Sequence, residues 1–546
     1  MPLMGSFYVG NSGLTTSQNA LNTTAHNLTN ADTKGYVRQQ TLLGDKDYNT
    51  LSIDVRKISN KQTGLGVTYQ EVRQVRDVFL DKTYREENGR LSFYSTEFDA
   101  ISEVENLLGE MDGASFEESI NDLWVAVEEL SKDPNSSVVQ GLIMQRAYAF
   151  VSDAQAVYQG LCRYQDNIND EVKITVDKMN EIGKKIWDLN EQIRKIESGG
   201  IEHANDLKDQ RNDLLDDLSG FAKIEYSNDP MGNVLVKVEG HAFVTATNVN
   251  EIGTQIDETT GFYEVFWKSD ATSTTDANGV VHYNTDNAHI FDERQEISSR
   301  IDTDLGKLKA LVITRGDHRA NYLDCADATS FDRISDSIAM TVQAEFDKLV
   351  NAVVTGINGI LEDVHNEQAA AGLDYMSDGA GNALQIFHRK GADVTEAVDE
   401  TDLSKRGTLF SVANLVVNEE LMQTPTKLGF VKPDGSVDYE SANKLKELFS
   451  NADYNLNPYA GTKLNIKGFY SALVSQVAND GAVIKSVRDN EQLTVDATES
   501  ARQQIIGVST DEELSNMIRY QNAYNANSRY INVINEMLEH LLNALA

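Results

Sequence analysis

The chain has 546 residues, which predicts three or four domains, and its formal net charge is −37 at pH 7. Such an acidic surface repels phosphate backbones and anionic lipid headgroups, so binding to nucleic acid or to a membrane surface is not expected. Only two cysteines occur, Cys162 and Cys325, and without a C-x-x-C pair they predict neither a disulfide framework nor a metal site.

Membrane insertion and a cleaved leader are not expected either. No run approaches the ~20 apolar residues that span a bilayer. No apolar core of a signal peptide precedes a cleavage site, and the first basic residue is Lys34. If the protein leaves the cell, we expect an export route without a cleaved signal.

The first 31 residues contain no Asp, Glu, Lys or Arg, although charged residues make up 24% of the chain. An apolar residue recurs every seven positions at Phe7, Leu14, Leu21 and Leu28, which predicts a helix over residues 6–30 with a coiled-coil seam. The other side of this helix carries amides and hydroxyls. Because buried charges are costly whereas amides can satisfy one another, we interpret the helix as packed on several sides among other subunits.

The middle of the chain alternates between helical and β patterns. Apolar residues recur every three or four positions from 84 to 218, which predicts a bundle of long helices. Two later stretches, 222–301 and 372–459, have β-like alternation or many turn residues. We therefore predict a mainly α protein with inserted β domains, in which the N- and C-terminal helices form a coiled-coil core domain, followed by a long-helix bundle and β-rich outer domains.

This pattern predicts a nested order of domains. The predicted segments are 1–80 (N-terminal half of an inner core domain, a helix plus a strand-rich connector), 81–221 (helical bundle), 222–304 (β-rich excursion), 305–371 (helical domain continued), 372–467 (inserted β-containing outer domain), 468–506 (return to the helical domain) and 507–546 (C-terminal helix of the inner core domain).

A second heptad pattern marks the last helix, which is predicted to begin near Asp511 after capping-box signals at Ser509 and Thr510. Its d positions are Met517, Tyr524, Ile531, Leu538 and Leu545, and its a positions are Leu514, Gln521, Ser528, Asn535 and Leu542. Three polar a residues weaken such a seam, so we expect both terminal helices to be mobile in the free chain and to fold on assembly. Stable pairing of the two helices within a monomer is the alternative.

The two ends resemble those of the axial proteins of the bacterial flagellum, which include the rod, hook and hook-associated protein 1 families. Residues Asn27–Gln39 (N-L-T-N-A-D-T-K-G-Y-V-R-Q) resemble the N-terminal motif of this group, and the segment from Leu514 to Leu542 resembles its C-terminal signature. Residues Ala204–Ser219 and Gly306–Asp317 are similar to the helical region of the hook-associated protein 1 family. Lys34 departs from the motif, which usually has proline there.

The resemblance implies a structural protein that assembles with copies of itself in a helical ring or tube. Hook protein would lie on one side, and the second junction protein and filament on the other. It also implies an extracellular place at the hook–filament junction, type III export and an export chaperone for the C-terminal helix. Another axial component, such as hook protein, is the nearer alternative, although the long helical run from 84 to 218 argues against it.

An enzyme is the more remote alternative. The chain has no H-E-x-x-H, G-x-S-x-G or P-loop pattern, and Gly64-Leu-Gly66 reads as a turn. Asp276-Ala-Asn278-Gly279 lacks the later Glu of a calcium loop and predicts a hairpin turn. His282 and His289 could share a metal but lack a spaced third ligand. We expect no catalytic residue, no cofactor and no bound metal.

The functional residues are therefore expected to be contact residues between subunits. Tyr36 and Arg38 are expected to fix the exit of the chain from the inner layer, with Asn27 and Asn30 capping or bridging beside them. The predicted set comprises Phe7, Leu14, Leu21, Asn27, Leu28, Asn30, Gly35, Tyr36, Arg38, Leu514, Met517, Gln521, Tyr524, Ser528, Ile531, Asn535, Leu538 and Leu542.

Overall fold

A computed structural model gives the fold of the chain. It describes residues 3–46, 49–54, 59–109, 116–200, 203–275, 281–291, 295–378, 380–391, 396, 398 and 407–545. Within these ranges the helices are α1 Leu3–Thr29, α2 Val78–Leu108, α3 Phe116–Lys132, α4 Ser137–Glu197, α5 Asn205–Phe221, α6 Lys307–Arg315, α7 Ala328–Asp332, α8 Ile338–Ala370, α9 Glu419–Gln423, α10 Tyr439–Ser450, α11 Ile466–Ile506 and α12 Thr510–Leu545.

Short antiparallel strands lie between these helices. Their bounds are β1 Gln39–Asp45, β2 Asn49–Asp54, β3 Ser59–Thr63, β4 Val67–Gln74, β5 Ile224–Asn228, β6 Val234–Val238, β7 His241–Val244, β8 Ile252–Ile256, β9 Tyr263–Trp267, β10 Thr272–Thr275, β11 Val281–Asn284, β12 Phe387–Arg389 and β13 Leu415–Val417. The mainly α fold with inserted β segments is confirmed.

The strands form small separate sheets. In the described residues β1 pairs with β4, β2 with β3, β8 with β9, β10 with β11 and β12 with β13, while β5, β6 and β7 form one sheet of three strands. A bulge interrupts the β1–β4 ladder between Leu42 and Leu43. Gly66 precedes β4 with φ of 95°, and a Cβ there would lie 2.1 Å from Ser12 Oγ, so a turn held against α1 requires glycine.

The helical body contains two hydrophobic cores along α4. The first joins α2, α3, the first half of α4, α8, α10 and α11 with residues 376–430. Its centre is aromatic: the ring of Phe116 lies 4.9 Å from that of Phe346 and 5.4 Å from that of Phe150. The second core joins the later half of α4 with α5, α6 and strands β5 to β9. At 61 residues, α4 spans ~90 Å and reaches both cores.

Residues 372–467 contribute one two-stranded sheet and two short helices in their described part, and their apolar side chains share the first core. The division of the chain into the seven predicted segments stays a prediction. None of the described helices combines the length and the apolar run that crossing a lipid bilayer requires.

Candidate functional site: the terminal helix pair and its joint

The helices α1 and α12 pack against each other along a stripe of small residues. Gly10 lies opposite Tyr530 and Ile531, and Gly13 lies opposite Asn527, so the two helices run antiparallel. A Cβ at Gly13 would come within 2.6 Å of the Asn527 side chain, which shows how closely the two backbones approach. The buried positions of α1 recur at spacings of three and four residues and are Gly10, Gly13, Thr16, Ser17, Ala20, Thr24 and Asn27.

The apolar heptad of α1 lies beside this stripe. Phe7, Leu14, Leu21 and Leu28 are half-buried. Each of the three leucines directly follows a buried residue, which is Gly13, Ala20 or Asn27. The seven-residue period predicted from the leucines is present, but its innermost positions hold small side chains. Close approach of two backbones requires small residues, and the larger side chains are displaced to the flank of the contact.

In α12 one predicted series faces α1 and the other does not. Met517, Tyr524, Ile531 and Leu538 are half-buried, and the side chain of Leu545 lies outside the described part. Of the predicted a positions, Ser528 is half-buried, whereas Leu514, Gln521, Asn535 and Leu542 are exposed. A second series with the same period is buried or half-buried and consists of Glu513, Tyr520, Asn527 and Ile534, of which Asn527 lies opposite Gly13. Four of the five predicted a positions are thus exposed in the single chain, and their role in contacts between copies stays a prediction.

The pair buries little apolar surface. Among the described side chains of α1 and α12, the fully buried hydrophobic residues are Ala20 and Ile534, at 0% and 2% exposure. Many large apolar side chains of both helices remain in solvent, namely Met4, Tyr8, Leu514, Ile518, Tyr530, Val533, Met537, Leu541 and Leu542. In the single chain the terminal helices therefore have an exposed apolar surface.

We call the region where the helix pair meets the rest of the chain the joint; it comprises residues 26–39, the end of β4, the first turn of α5 and residues 506–513. Within the joint, one asparagine organises the turn from α1 into β1. The buried Asn27 donates from Nδ2 to the Gln39 carbonyl at 2.9 Å and accepts from the Gln39 amide at 3.0 Å. The Tyr36 hydroxyl donates to Asn27 Oδ1 at 2.8 Å. Burial, and then the nearby charges of Asp206 and Asp209, raise the pKa of Tyr36, which keeps this donor protonated.

Two other predicted residues shape the same turn. Asn30 donates from Nδ2 to the His26 carbonyl at 3.1 Å and accepts from the Thr33 hydroxyl at 3.2 Å, which closes the last turn of α1. Gly35 has φ of 76°, a left-handed conformation that L side chains rarely adopt. The glycine there is required by the backbone.

Arg38 connects the N-terminal part of the joint to the start of α12. Its Nε donates to Glu513 at 2.9 Å and its NH1 lies 3.0 Å from Glu512. The Glu513 side chain is only 3% exposed, so it depends on this partner. In the sequence, Ser509 with Glu512 and Thr510 with Glu513 both fit a capping box. The Glu512 amide does donate to Ser509 Oγ at 3.4 Å, whereas the Glu513 carboxylate binds Arg38.

A buried ion-pair network, which the sequence did not indicate, joins the body to the joint. Asp81 accepts from Arg76 at 2.9 Å and from Arg502 at 2.8 Å. Arg502 also binds Asp216, which accepts from Arg85 at 2.6 Å. Burial alone would raise the pKa of Asp81, but the hydrogen bond and charge of Arg76 and the charges of Arg502 and Arg85 outweigh burial and lower that pKa.

A cleft of about 550 Å³ opens beside this network, between residues 31–36, α5 and the end of α11. Its wall includes Asp213, Asp217 and Glu499 together with Lys34 and Arg502. The mixed charges fit contact with protein side chains and show no arrangement typical of catalysis.

The other candidate motifs show no catalytic or metal-binding arrangement in the part of the chain that the structure describes. Gly64-Leu-Gly66 forms the turn before β4. His282 lies on β11 and His289 forms a bridge with Phe266. No group of three or more metal-ligating side chains converges in that part. The predicted turn at Asp276–Gly279 lies outside the described residues.

Three family models match the chain in sequence order. They are the flagella basal body rod protein at residues 7–36, the flagellar hook-associated protein FlgK helical domain at residues 101–384, and the flagellar basal body rod FlgEFG protein C-terminal at residues 503–544. The helical-domain model alone covers more than half of the chain. The two shorter models coincide with the terminal helices and the joint.

Curated relatives align over nearly the whole length. Flagellar hook-associated protein 1 of Bacillus subtilis (strain 168) is 26% identical, with 97% of this chain and 96% of the relative aligned. The protein of the same name from Salmonella typhimurium is 23% identical, with 97% and 98% aligned. The structure of the flagellar hook junction protein FlgK from Burkholderia pseudomallei has the same fold, with a TM-score of 0.54, 12% identity, and coverage of 78% of this chain and 100% of that one.

Proposed function

The chain belongs to the family of the flagellar hook-associated protein FlgK, a structural family of the flagellar axis, and from this membership we propose that it joins hook to filament by helical self-assembly of its terminal helices. The observation that carries the proposal is the apolar surface of the helix pair. Side chains such as Ile518, Val533 and Leu542 are 60%, 52% and 65% exposed in the single chain. Neighbouring copies in a ring or tube would bury them.

The half-buried leucines of α1 support the same mechanism. Leu14, Leu21 and Leu28 flank the small-residue stripe, so one side of each is free to contact another copy. The side of α1 opposite the leucines has no charged residue, so burying it between copies would leave no charge without a partner. The predicted interface residues on both helices thus serve contacts between copies more than contacts within one chain.

The helical body would then lie outside the layer of terminal helices. This arrangement agrees with the nested domain order predicted from the sequence. Hook protein would contact one side of the ring, and the second junction protein and filament the other. The exposed apolar end of α12, including Met537 and Leu541, would bind an export chaperone before assembly. These partners imply an extracellular place on the flagellum, reached by type III export.

The substitution Leu21→Asp tests the assembly mechanism. A carboxylate at this position would have to be buried without a partner between copies, whereas the body does not contact Leu21 in its cores. We expect a soluble, folded chain that does not restore filaments to cells lacking the gene; such cells would carry hooks without filaments and lose flagellin to the medium.

The matched control adds the same charge to the outside of the body. Val138 is 79% exposed on α4, and Val138→Asp should restore normal filaments. Normal filaments with Leu21→Asp would contradict the assignment of α1 to the contacts between copies. Normal filaments in cells without the gene would contradict the junction function itself.

A further inference from the structure

The joint and the helix pair are held by different sets of residues. The close contacts of the pair involve Gly10 and Gly13 on α1 and residues 527–531 on α12. The contacts of the joint involve residues 26–39, the end of β4, the first turn of α5 and residues 506–513. Ser12 on α1 is in addition bound to the start of β4, because its Oγ accepts from the Val67 amide at 3.2 Å.

We propose that residues 36–39 stay docked on the helical body in the free subunit whether or not α1 and α12 are paired, so that the two helices open and close from a fixed base. This inference concerns the free subunit and goes beyond the proposed assembly function. It can therefore be tested without any hook or filament.

The first turn of α5 forms one side of the docking site. Buried Asp209 accepts from the Val37 amide at 3.2 Å and from Gln74 Nε2 at 2.6 Å. Asn205 donates to the Val72 carbonyl at 3.0 Å, and its own carbonyl accepts from Gln74 at 2.9 Å. Val37, which lies just before β1, and the end of β4 are thus both bound to one helix end of the body.

The end of α11 forms the other side. The Arg38 amide donates to the Ile506 carbonyl at 2.9 Å, and the Arg38 carbonyl accepts from the Val75 amide at 2.9 Å. Between these bonds the Val37 side chain is only 1% exposed. Unpairing of α1 and α12 breaks none of these hydrogen bonds.

The helix pair has much less to hold it closed. Its seam contains glycines, hydroxyls and amides, with Ala20 and Ile534 as its fully buried hydrophobic residues among the described side chains. Local opening is easiest where few apolar contacts are lost. The pair should therefore open before the joint undocks, and the fixed base would limit the positions that the helices search when they meet another copy.

Hydrogen exchange of the full chain, read by mass spectrometry, tests this order. Gly13→Asp would place a side chain against Asn527 and so force the two helices apart. We expect amide exchange in residues 4–24 and 516–544 of this variant to be about 100-fold faster than in a closed pair. If the pair is already open in the parent chain, exchange in these residues is fast there too. Peptides that cover 36–39 and 74–76 should keep the slow exchange of the parent chain. Asp209→Ala should accelerate exchange in those joint peptides.

Asp213→Ala is the matched control for Asp209→Ala, because Asp213 lies one turn later on α5 and its ion pair is with the exposed Lys34, at 3.9 Å, outside residues 36–39. It should leave the joint peptides unchanged. If Asp209→Ala fails to fold, as judged by circular dichroism, Asn205→Ala replaces it. Three results would overturn the proposal: joint peptides that exchange together with the helices in Gly13→Asp, helices that stay protected in Gly13→Asp, or joint peptides whose exchange is unchanged in the folded α5 variant.

Discussion

The terminal helix pair and the helical body are both built from long helices, yet they use opposite means of packing. The body buries large side chains, including Phe116, Phe150 and Phe346, in the first of its two cores. The pair brings two backbones together over Gly10 and Gly13 and leaves its large apolar residues at the flank. The body can therefore be stable alone, whereas the pair leaves apolar side chains exposed, and these are the ones that we propose contact other copies.

Polar groups differ between the two regions as well. The seam of α1 contains hydroxyls and amides, and Ser17, for example, donates to the Gly13 carbonyl of its own helix at 2.7 Å. The region between pair and body instead concentrates ion pairs, with Arg38, Asp81 and Arg502 each bound to at least one opposite charge. Charge fixes where the pair is attached, and small residues determine how closely its helices approach.

The largest expected effect separates the two modes of packing. Phe346→Ala removes a fully buried ring from the aromatic centre of the body and should lower the free energy of unfolding by ~3–5 kcal/mol, measured by chemical denaturation. Ile534→Ala, which removes a buried side chain from the pair, should leave this transition unchanged. Equal shifts in both variants would show that pair and body unfold as one unit.

A smaller effect is expected at the joint. Arg38→Met leaves the buried Glu513 carboxylate without its partner and should lower the free energy of local opening at residues 506–513 by ~2–3 kcal/mol, measured by hydrogen exchange. Arg38→Met combined with Glu513→Met removes both charges and should recover most of the loss. A double variant as unstable as the sum of the single ones would contradict the dependence of Glu513 on Arg38.

The body should also respond to pH. Burial raises the pKa of Glu345 to about 7 and that of Asp347 to about 7, above the ~4 of a carboxyl in the unfolded chain. Between the unfolded and the folded pKa values, the folded state binds more protons than the unfolded state. The free energy of unfolding should therefore fall as pH rises from ~4.5 to ~7, by up to ~1.4 kcal/mol per pH unit for each group. Asp81 has a lowered pKa and acts in reverse, losing its contribution as pH falls below the ordinary carboxyl range.

Glu345→Gln tests the source of this slope. The amide keeps an acceptor for Asn457 Nδ2, which donates to Glu345 at 2.9 Å, but it does not titrate. Between pH 5 and pH 8 the free energy of unfolding, measured by chemical denaturation, should therefore fall by ~1–2 kcal/mol less in this variant than in the parent chain. An unchanged slope in this variant would assign the pH dependence to groups outside this part of α8.

The sequence predicted the two terminal helices because their apolar period is long and regular. The first helix was predicted over 6–30 and is Leu3–Thr29, and the last was predicted from about 511 and begins at Thr510. In the site, the turn residues Asn27 and Tyr36 do lie together. Local signals of helix period and turn chemistry were sufficient for these features.

The hydrophobic pattern did not identify the face of α1 that contacts α12 most closely. Gly10, Ser17 and Thr24 share the seven-residue period of the leucines, but a pattern search for apolar residues ranks leucine above glycine. The period of the small residues was the signal that could have identified the seam. The partners of Arg38 and Asp209 lie 475 and 172 residues away in the chain, a distance at which a single sequence gives no pairing information.

The smallest expected effect concerns charges on the outside of the body. Arg146 and Asp122 connect α4 with α3 at 2.7 Å, but their side chains are 43% and 38% exposed, unlike Glu513 at 3%. Water screens such a pair, so Arg146→Met should change the free energy of unfolding by less than ~0.5 kcal/mol, measured by the same denaturation as for Phe346→Ala. A loss as large as that of Arg38→Met would mean that ion pairs stabilise body and joint alike, and burial would no longer explain why charge matters at the joint.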